Sequence, residues 1–334
     1  MVTTIILLVV SIAVILVCAE LFTNSIEWLG HRLKLGEGAV GSILAAVGTA
    51  MPETMIPIIA ILFVGTERSK DVGIGAILGA PFMLSTAAFF VTAMAVWTYT
   101  LRRRRTLEMV VNFDILKRDV GFFLPVYAVA LGSSLLPSRE LKWVTAIGLL
   151  ITYAVYAYLT LKQEGDLSKD LNPLHFARHV DEPGLLIIVG QVLVALLGII
   201  LGSHVFVANL EEVSHAVGVP TLVLALIIAP LATELPEKFN SVLWVRERKD
   251  TLAMGNITGA MLFQSCIPVA IGLMFTPWVL DTPALLSGIL ALLSAGLVYV
   301  MMVARGKLSA GTLGLGGLFY VAFVAYVIRQ GQSP

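Results

Sequence analysis

Three glutamates stand where glutamate is costly. Gly48-Thr49-Ala50-Met51-Pro52-Glu53 falls in the middle of a mostly apolar run, and Ala232-Thr233-Glu234-Leu235-Pro236-Glu237 falls at the equivalent depth of another. A carboxylate at the centre of a bilayer costs ~2.5–3.5 kcal/mol on insertion scales, so Glu53, Glu234 and Glu237 together represent roughly 8–10 kcal/mol that a partner must offset. Pro52 and Pro236 remove a backbone donor and crowd the preceding turn, which predicts a kink or break at each. A break frees carbonyls, with those of Thr49 and Thr233 the natural candidates. Two carboxylates plus freed carbonyls form an all-oxygen cage, the ligand type preferred by hard cations such as Ca²⁺, Na⁺ or Mg²⁺. Gln264, also in mid-run, can add an amide oxygen, although its counterpart in the first half is apolar Leu84. The bland alternative is a set of protonated, hydrogen-bonded glutamates serving helix packing. Two glutamates at the same place in two repeats, each after a proline, argue against it.

These residues need long helices around them. The chain is 58% hydrophobic and 13% charged, with a mean hydropathy of +0.92, which no ordinary soluble domain matches. Residues 3–19, 183–203, 283–302 and 309–328 are nearly uncharged runs, long enough to cross ~30 Å of hydrocarbon as helix. The first lacks the basic flank and small-residue cleavage site of a signal peptide and reads as a retained span. The expected fold is an all-α membrane protein of about ten transmembrane helices. The spans are roughly 3–28, 38–64, 71–100, 119–136, 142–162, 183–212, 218–244, 251–276, 282–303 and 309–328.

The two motifs belong to an internal repeat. At an offset of 184, Phe22, Glu27, His31, Thr49, Pro52 and Glu53 become Phe206, Glu211, His215, Thr233, Pro236 and Glu237. Gly79-Ala80 matches Gly259-Ala260 at an offset of 180. The division is 1–162 and 183–334 as two five-helix repeats, with 163–182 as a polar cytoplasmic linker. An odd number of spans per half inverts the second half, a plan that places a binding site at the midplane on broken helices. The small-residue runs Gly73–Gly79 and Gly255–Ala260 let helix backbones approach closely in lipid.

Sorting the linkers alternately puts sixteen Lys and Arg on one side, including Arg102 to Arg105 and Arg246, Arg248 and Lys249, against five on the other. That bias places the first side in the cytoplasm and both termini outside, with the plasma membrane as the expected location. Arg102 to Arg105 are expected to anchor a span at anionic headgroups. His175 and His179 have helical metal-ligand spacing but no further ligand nearby, and read as part of a solvated loop. Cys18 and Cys266 read as small core residues. Glu20 and His204, at matching positions, are either a proton relay or residents of a wet vestibule, the latter preferred. Lys238 is expected to snorkel or to pair elsewhere, and if it faces the site instead it competes with the cation. The 22 basic and 22 acidic residues cancel and give no nucleic-acid surface. Metalloprotease, serine-hydrolase and nucleotide motifs are absent from the sequence, so neither an enzyme nor a primary pump is expected.

Gly-Thr-Ala-Met-Pro-Glu at 48–53 and Ala-Thr-Glu-Leu-Pro-Glu at 232–237 resemble the two signature repeats of the calcium/cation antiporter superfamily, which includes the sodium/calcium exchangers. Gly-Asn-Ile-Thr-Gly-Ala-Met-Leu-Phe-Gln at 255–264 resembles the segment that follows the second signature. The resemblance implies that Glu53 and Glu237 are the principal Ca²⁺ ligands, with backbone oxygens from Thr49 and Thr233. It also implies that alternating access exchanges Ca²⁺ for Na⁺ or H⁺. Ala50, Glu234, Ala80 and Ala260 stand where the sodium exchangers usually have Ser, and Leu84 and Gln264 where they have Asn or Asp. Several neutral oxygens suited to Na⁺ are therefore missing. Glu234 adds a third carboxylate, and because like charges disfavour joint ionisation, protons could neutralise the cation-free site. This points to proton-linked or weakly sodium-dependent transport. A passive cation channel or a cation-sensing membrane protein on the same scaffold is the competing reading.

Overall fold

Long apolar runs become long helices whose sides are arranged for lipid. In the computed structural model, residues 1–33, 50–163 and 171–331 are described, apart from the side chains of 161–163, 232, 235–237, 239–240 and 330–331. Thr49 therefore lies outside the described residues, as does the side chain of Glu237. Among the described residues the secondary structure is helical apart from one two-residue ribbon, Glu108–Met109 (β1) paired antiparallel with Leu308–Ser309 (β2).

The helices are α1 (Val2–Arg32), α2 (Met51–Ile58), α3 (Glu67–Met83), α4 (Phe89–Leu101), α5 (Phe113–Gly132), α6 (Arg139–Gln163) and α7 (Leu185–Val217). After them come α8 (Thr221–Thr233), α9 (Leu235–Arg246), α10 (Asp250–Phe275), α11 (Thr282–Arg305), the short α12 (Ala310–Gly314) and α13 (Gly316–Gly331). Among the described residues, seven helical segments are long and apolar enough to cross a membrane: α1, α3–α4, α6, α7, α10, α11 and α12–α13. Two more, Met51–Val64 and Thr221–Leu231, are apolar but shorter. The expected fourth span falls on α5, whose first turns carry Asp114, Lys117, Arg118 and Asp119. The expected seventh is split between α8 and α9.

Helix α1 shows what solvent these helices meet. Val2, Ile5, Ile6, Val9 and Val10 are exposed, whereas Thr4, Ser11, Asn24 and Ser25 are buried. A polar inner face and an apolar outer one suit hydrocarbon, where helices associate through close packing and interhelical hydrogen bonds. Helix α7 repeats the pattern, with Leu186 90% exposed and Gln191, Ser203 and Asn209 buried. The two pack together antiparallel. Thr4 Oγ1 donates to Glu212 Oε1 at 2.9 Å at one end, and Gln191 Nε2 donates to Asn24 Oδ1 at 3.0 Å at the other. Between them Gly198 admits Cys18 and Gly202 admits Ile15.

The central helices α3 and α8 run parallel and touch backbone to backbone. A Cβ on Gly75 would strike the Leu222 carbonyl, and one on Gly79 would strike that of Leu226. The small residues of the 73–79 run are thus accounted for by packing. Prolines Pro57 and Pro81 each precede a π-helical stretch, Ile59–Val64 and Leu84–Ala88. Such stretches absorb a missing donor and free carbonyls, and Ser294 Oγ donates to the Ser85 carbonyl at 2.5 Å.

Linkers that touch are ones the charge count put on the same side. Arg105 donates to Asp250 through both guanidinium nitrogens, at 2.7 and 2.6 Å, and the Val110 N–H donates to the same carboxylate at 2.9 Å. Trp28 Nε1 donates to the Asn172 carbonyl at 2.8 Å, and Asn24 Oδ1 accepts from the His175 N–H at 3.1 Å. In the other set, Lys142 Nζ donates to the Pro277 carbonyl at 2.6 Å. The Arg105 pair corrects one expectation. Arg102, Arg103 and Arg104 are exposed, but the Arg105 side chain is 5% exposed and turned inward onto Asp250.

Candidate cation site

Where both are described, the two motifs share a local backbone structure. Ala50 precedes α2 with φ −87° and ψ 8°, and Glu234 separates α8 from α9 with φ −89° and ψ 10°. These residues are equivalent at the offset of 184, and each is followed two residues later by Pro52 or Pro236 in the first turn of the next helix. The break expected at the second proline therefore occurs two residues before it, at Glu234. Proline suits a first turn, where its missing N–H is not required.

Glu53 sits in the first turn of α2, 5% exposed, with no hydrogen-bond partner for either carboxylate oxygen among the described residues. A helix N-terminus favours negative charge there. Thr233 ends α8, so it stands among the last carbonyls of that helix, which lack intrahelical donors. Its hydroxyl donates to the Ala229 carbonyl at 3.0 Å. Glu53 and Thr233 line one narrow space, too tight for a water molecule, together with Ile56, Ala76, Ala80, Ala229 and Pro230. Ala76 and Ala80 come from α3, which the Gly75 and Gly79 contacts hold against α8. A carboxylate, a helix C-terminus and small apolar walls can hold a cation and offer little to anything larger.

The other expected ligands are placed differently. Glu234 is fully buried and lies outside the lining of that space. Its Oε2 is 3.4 Å from Lys238 Nζ, and its Oε1 has no hydrogen-bond partner among the described residues. Lys238, 7% exposed, thus neither snorkels nor pairs away from the site region. The i,i+4 spacing was the signal for this pair, and sequence reasoning passed over it. Gln264 is buried in α10, its Oε1 without a partner among the described residues, and it too lies outside the lining of the Glu53 space. Among the described residues no group of three or more His, Cys, Asp or Glu side chains is placed to hold a metal. The expected carboxylate partner of Glu53, Glu237, contributes only its backbone to the described structure.

Sequence reasoning also missed Asp119. Buried on α5, it accepts from Tyr156 Oη and Thr258 Oγ1, both at 2.9 Å, and so joins α5, α6 and α10. Glu20 is exposed, 3.7 Å from His175 Nε2, and His204 is exposed on α7. The loop histidine His175 also lies 2.9 Å from Arg178 Nη2 through Nδ1.

Fold and site together define a helical membrane protein with two buried acids, Glu53 and Glu234, beside proline-containing first turns. The chain belongs to the sodium/calcium exchanger protein family, whose pattern matches residues 3–162 and 187–331, and with it to the calcium/cation antiporter superfamily. It is 22% identical over 325 residues to the inner membrane protein YrbG of Escherichia coli, covering 96% of this chain and 94% of that one. A solved H⁺/Ca²⁺ exchanger, CAX, shares the fold with a TM-score of 0.76 at 16% identity, over 98% of this chain and 86% of that one. The sodium-calcium exchanger NCX_Mj shares it with a TM-score of 0.61 at 16% identity, over 97% and 98%.

Proposed function

We propose that this protein is a secondary active antiporter that moves Ca²⁺ or a similar divalent cation in exchange for H⁺ or Na⁺ by alternating access. The observation that carries the reading is Glu53, a buried carboxylate with neither oxygen hydrogen-bonded among the described residues, sharing one narrow space with Thr233 at the C-terminal end of a broken helix. Such a group needs a cation or a proton to be tolerated. Glu53 and Glu237 are the principal ligands in this reading, supported by the carbonyls of Thr49 and Thr233, with Glu234 and Gln264 at the periphery. The names of the family and of the two solved relatives describe exchangers, which does not favour a passive channel or a cation sensor.

Ten spans in two inverted five-helix repeats, residues 1–162 and 183–334 joined by 163–182, fit this mechanism. The matched backbone angles at Ala50 and Glu234 support the repeat. So do the directions of the helices, since α1 and its equivalent α7 are antiparallel while α3 and α8 are parallel, as strict alternation through ten crossings requires. The charge bias of the linkers supports a plasma-membrane protein with both termini outside.

The test is ⁴⁵Ca²⁺ flux in proteoliposomes. Glu53→Gln and Glu237→Gln should each nearly abolish it while the protein still elutes as a folded species, because Gln keeps the shape and removes the charge that balances a divalent ion. Near-normal flux in both variants would sink the site assignment.

A further inference from the structure

Lys238 occupies a position that differs between the two repeats. Its equivalent at the offset of 184 is Thr54. The two residues stand in the same relation to the helix breaks, with the Thr54 N–H donating to the Ala50 carbonyl at 3.2 Å and the Lys238 N–H donating to the Glu234 carbonyl at 3.2 Å. Thr54 uses its hydroxyl locally, on the Ala50 carbonyl at 2.8 Å. Lys238 instead folds an ammonium onto Glu234, with side chains 8% and 0% exposed. Lysines near helix ends ordinarily reach for the headgroups. Here the amine stays buried beside Glu234, the residue that directly follows Thr233, and Thr233 lines the same space as Glu53.

We propose that Lys238 is a resident cation of the transport site. It neutralises Glu234, holds that carboxylate out of the cage, and leaves Glu53 and Glu237 as the net charge presented to the cargo. Three carboxylates and one ammonium amount to two negative charges, matched to a single divalent ion. Without Lys238 the same cluster would call for a further monovalent cation beside the divalent one. The tethered ammonium takes that place without having to be bound or released. The inference rests on the antiport reading above and adds a specificity-determining role for one residue that touches no cargo.

The experiment is equilibrium binding of ⁴⁵Ca²⁺ to the purified full-length protein at one fixed pH, for wild type, Lys238→Thr, Glu234→Gln and the double variant. The Thr substitution copies the first repeat. Removing the positive charge should tighten Ca²⁺ binding, and removing the negative one should weaken it, each by about tenfold or more for a unit charge a few ångströms away in a poorly screened site. The double variant restores the charge and should bind close to wild type. A merely structural pair predicts the reverse pattern, with both single variants weakened alike, and that result would overturn the proposal. If Lys238→Thr does not fold, Lys238→Met, which keeps the length of the stem, replaces it. Failure of both to fold while Glu234→Gln with Lys238→Met folds would make the pair a packing clamp and would also overturn it. Wild-type protein that binds no Ca²⁺ or Mn²⁺ would remove the antiport reading itself. Same-sign shifts against a binding wild type remove only the role of Lys238.

Discussion

Glu53 pays for its position in stability. A buried acceptor without a donor destabilises a fold by roughly 1–3 kcal/mol, and more when it is charged. Glu53→Gln should therefore melt above wild type in chelator, yet lose the rise in melting temperature that Ca²⁺ gives the wild type, about 2.7 kcal/mol at a hundredfold excess over Kd. Scanning fluorimetry with and without Ca²⁺ reads both effects, and a variant that melts below wild type in chelator would contradict the absence of a partner for this carboxylate. Gln264→Leu, which copies Leu84, separates two roles at a second residue. Because Gln264 does not line the space beside Glu53, flux should stay near wild type. A large loss of Ca²⁺ affinity would instead restore it to the cage.

The helix breaks and the interfaces beside them are where element-scale tests apply. Gly79→Val places side-chain atoms against the Leu226 carbonyl and Pro230, and overpacking of this kind costs about 1–3 kcal/mol. Gly148→Ala, at a position with nothing within 4 Å of the added methyl, is the control and should be silent. Thermal stability of the two variants in detergent is the measurement, and equal effects would deny the close contact of α3 with α8. Asp250→Asn tests the other kind of joint. It strands Arg105 in a buried site, so it should cost about 3–5 kcal/mol, visible as a lowered melting temperature with the divalent site intact. Proline inside an apolar run is conspicuous, so the sequence announced an interruption at Pro236, although the break itself falls two residues earlier, at Glu234. The sequence announced the buried glutamates for the same reason. Arg105 was not legible: four consecutive arginines read as one headgroup anchor, and only the turn after α4 brings the last of them to Asp250, 145 residues away. Lys238 was half legible, since its i,i+4 spacing to Glu234 is plain but the depth of the pair is not. The sharing of Asp119 among Tyr156 and Thr258 depends on how three helices pack, which no local pattern encodes.

For the whole molecule the open quantities are orientation and coupling. Once Cys18 and Cys266 are replaced, single cysteines at positions 67 and 140 should label from outside the cell, and those at 104 and 247 only after permeabilisation. The opposite pattern would reverse the sides. Coupling is tested by Ca²⁺ uptake driven first by a Na⁺ gradient at clamped pH and then by a pH gradient without Na⁺. Ala50, Ala80, Leu84 and Ala260 bring no side-chain oxygen, so the pH gradient should drive uptake at least as well. Strong, saturable uptake with Na⁺ and none with the pH gradient would contradict that. The joint between Arg105 and Asp250 has a consequence for biogenesis. At ~5–20 residues per second, the ribosome delivers Asp250 roughly 7–30 s after Arg105, while the first helices are already being handed to the membrane. Throughout that interval the guanidinium has to wait in water or at the lipid surface, and the turn after α4 cannot take its final form. A nascent chain that stalls before residue 250 therefore leaves Arg105 without the carboxylate that holds it in the finished fold.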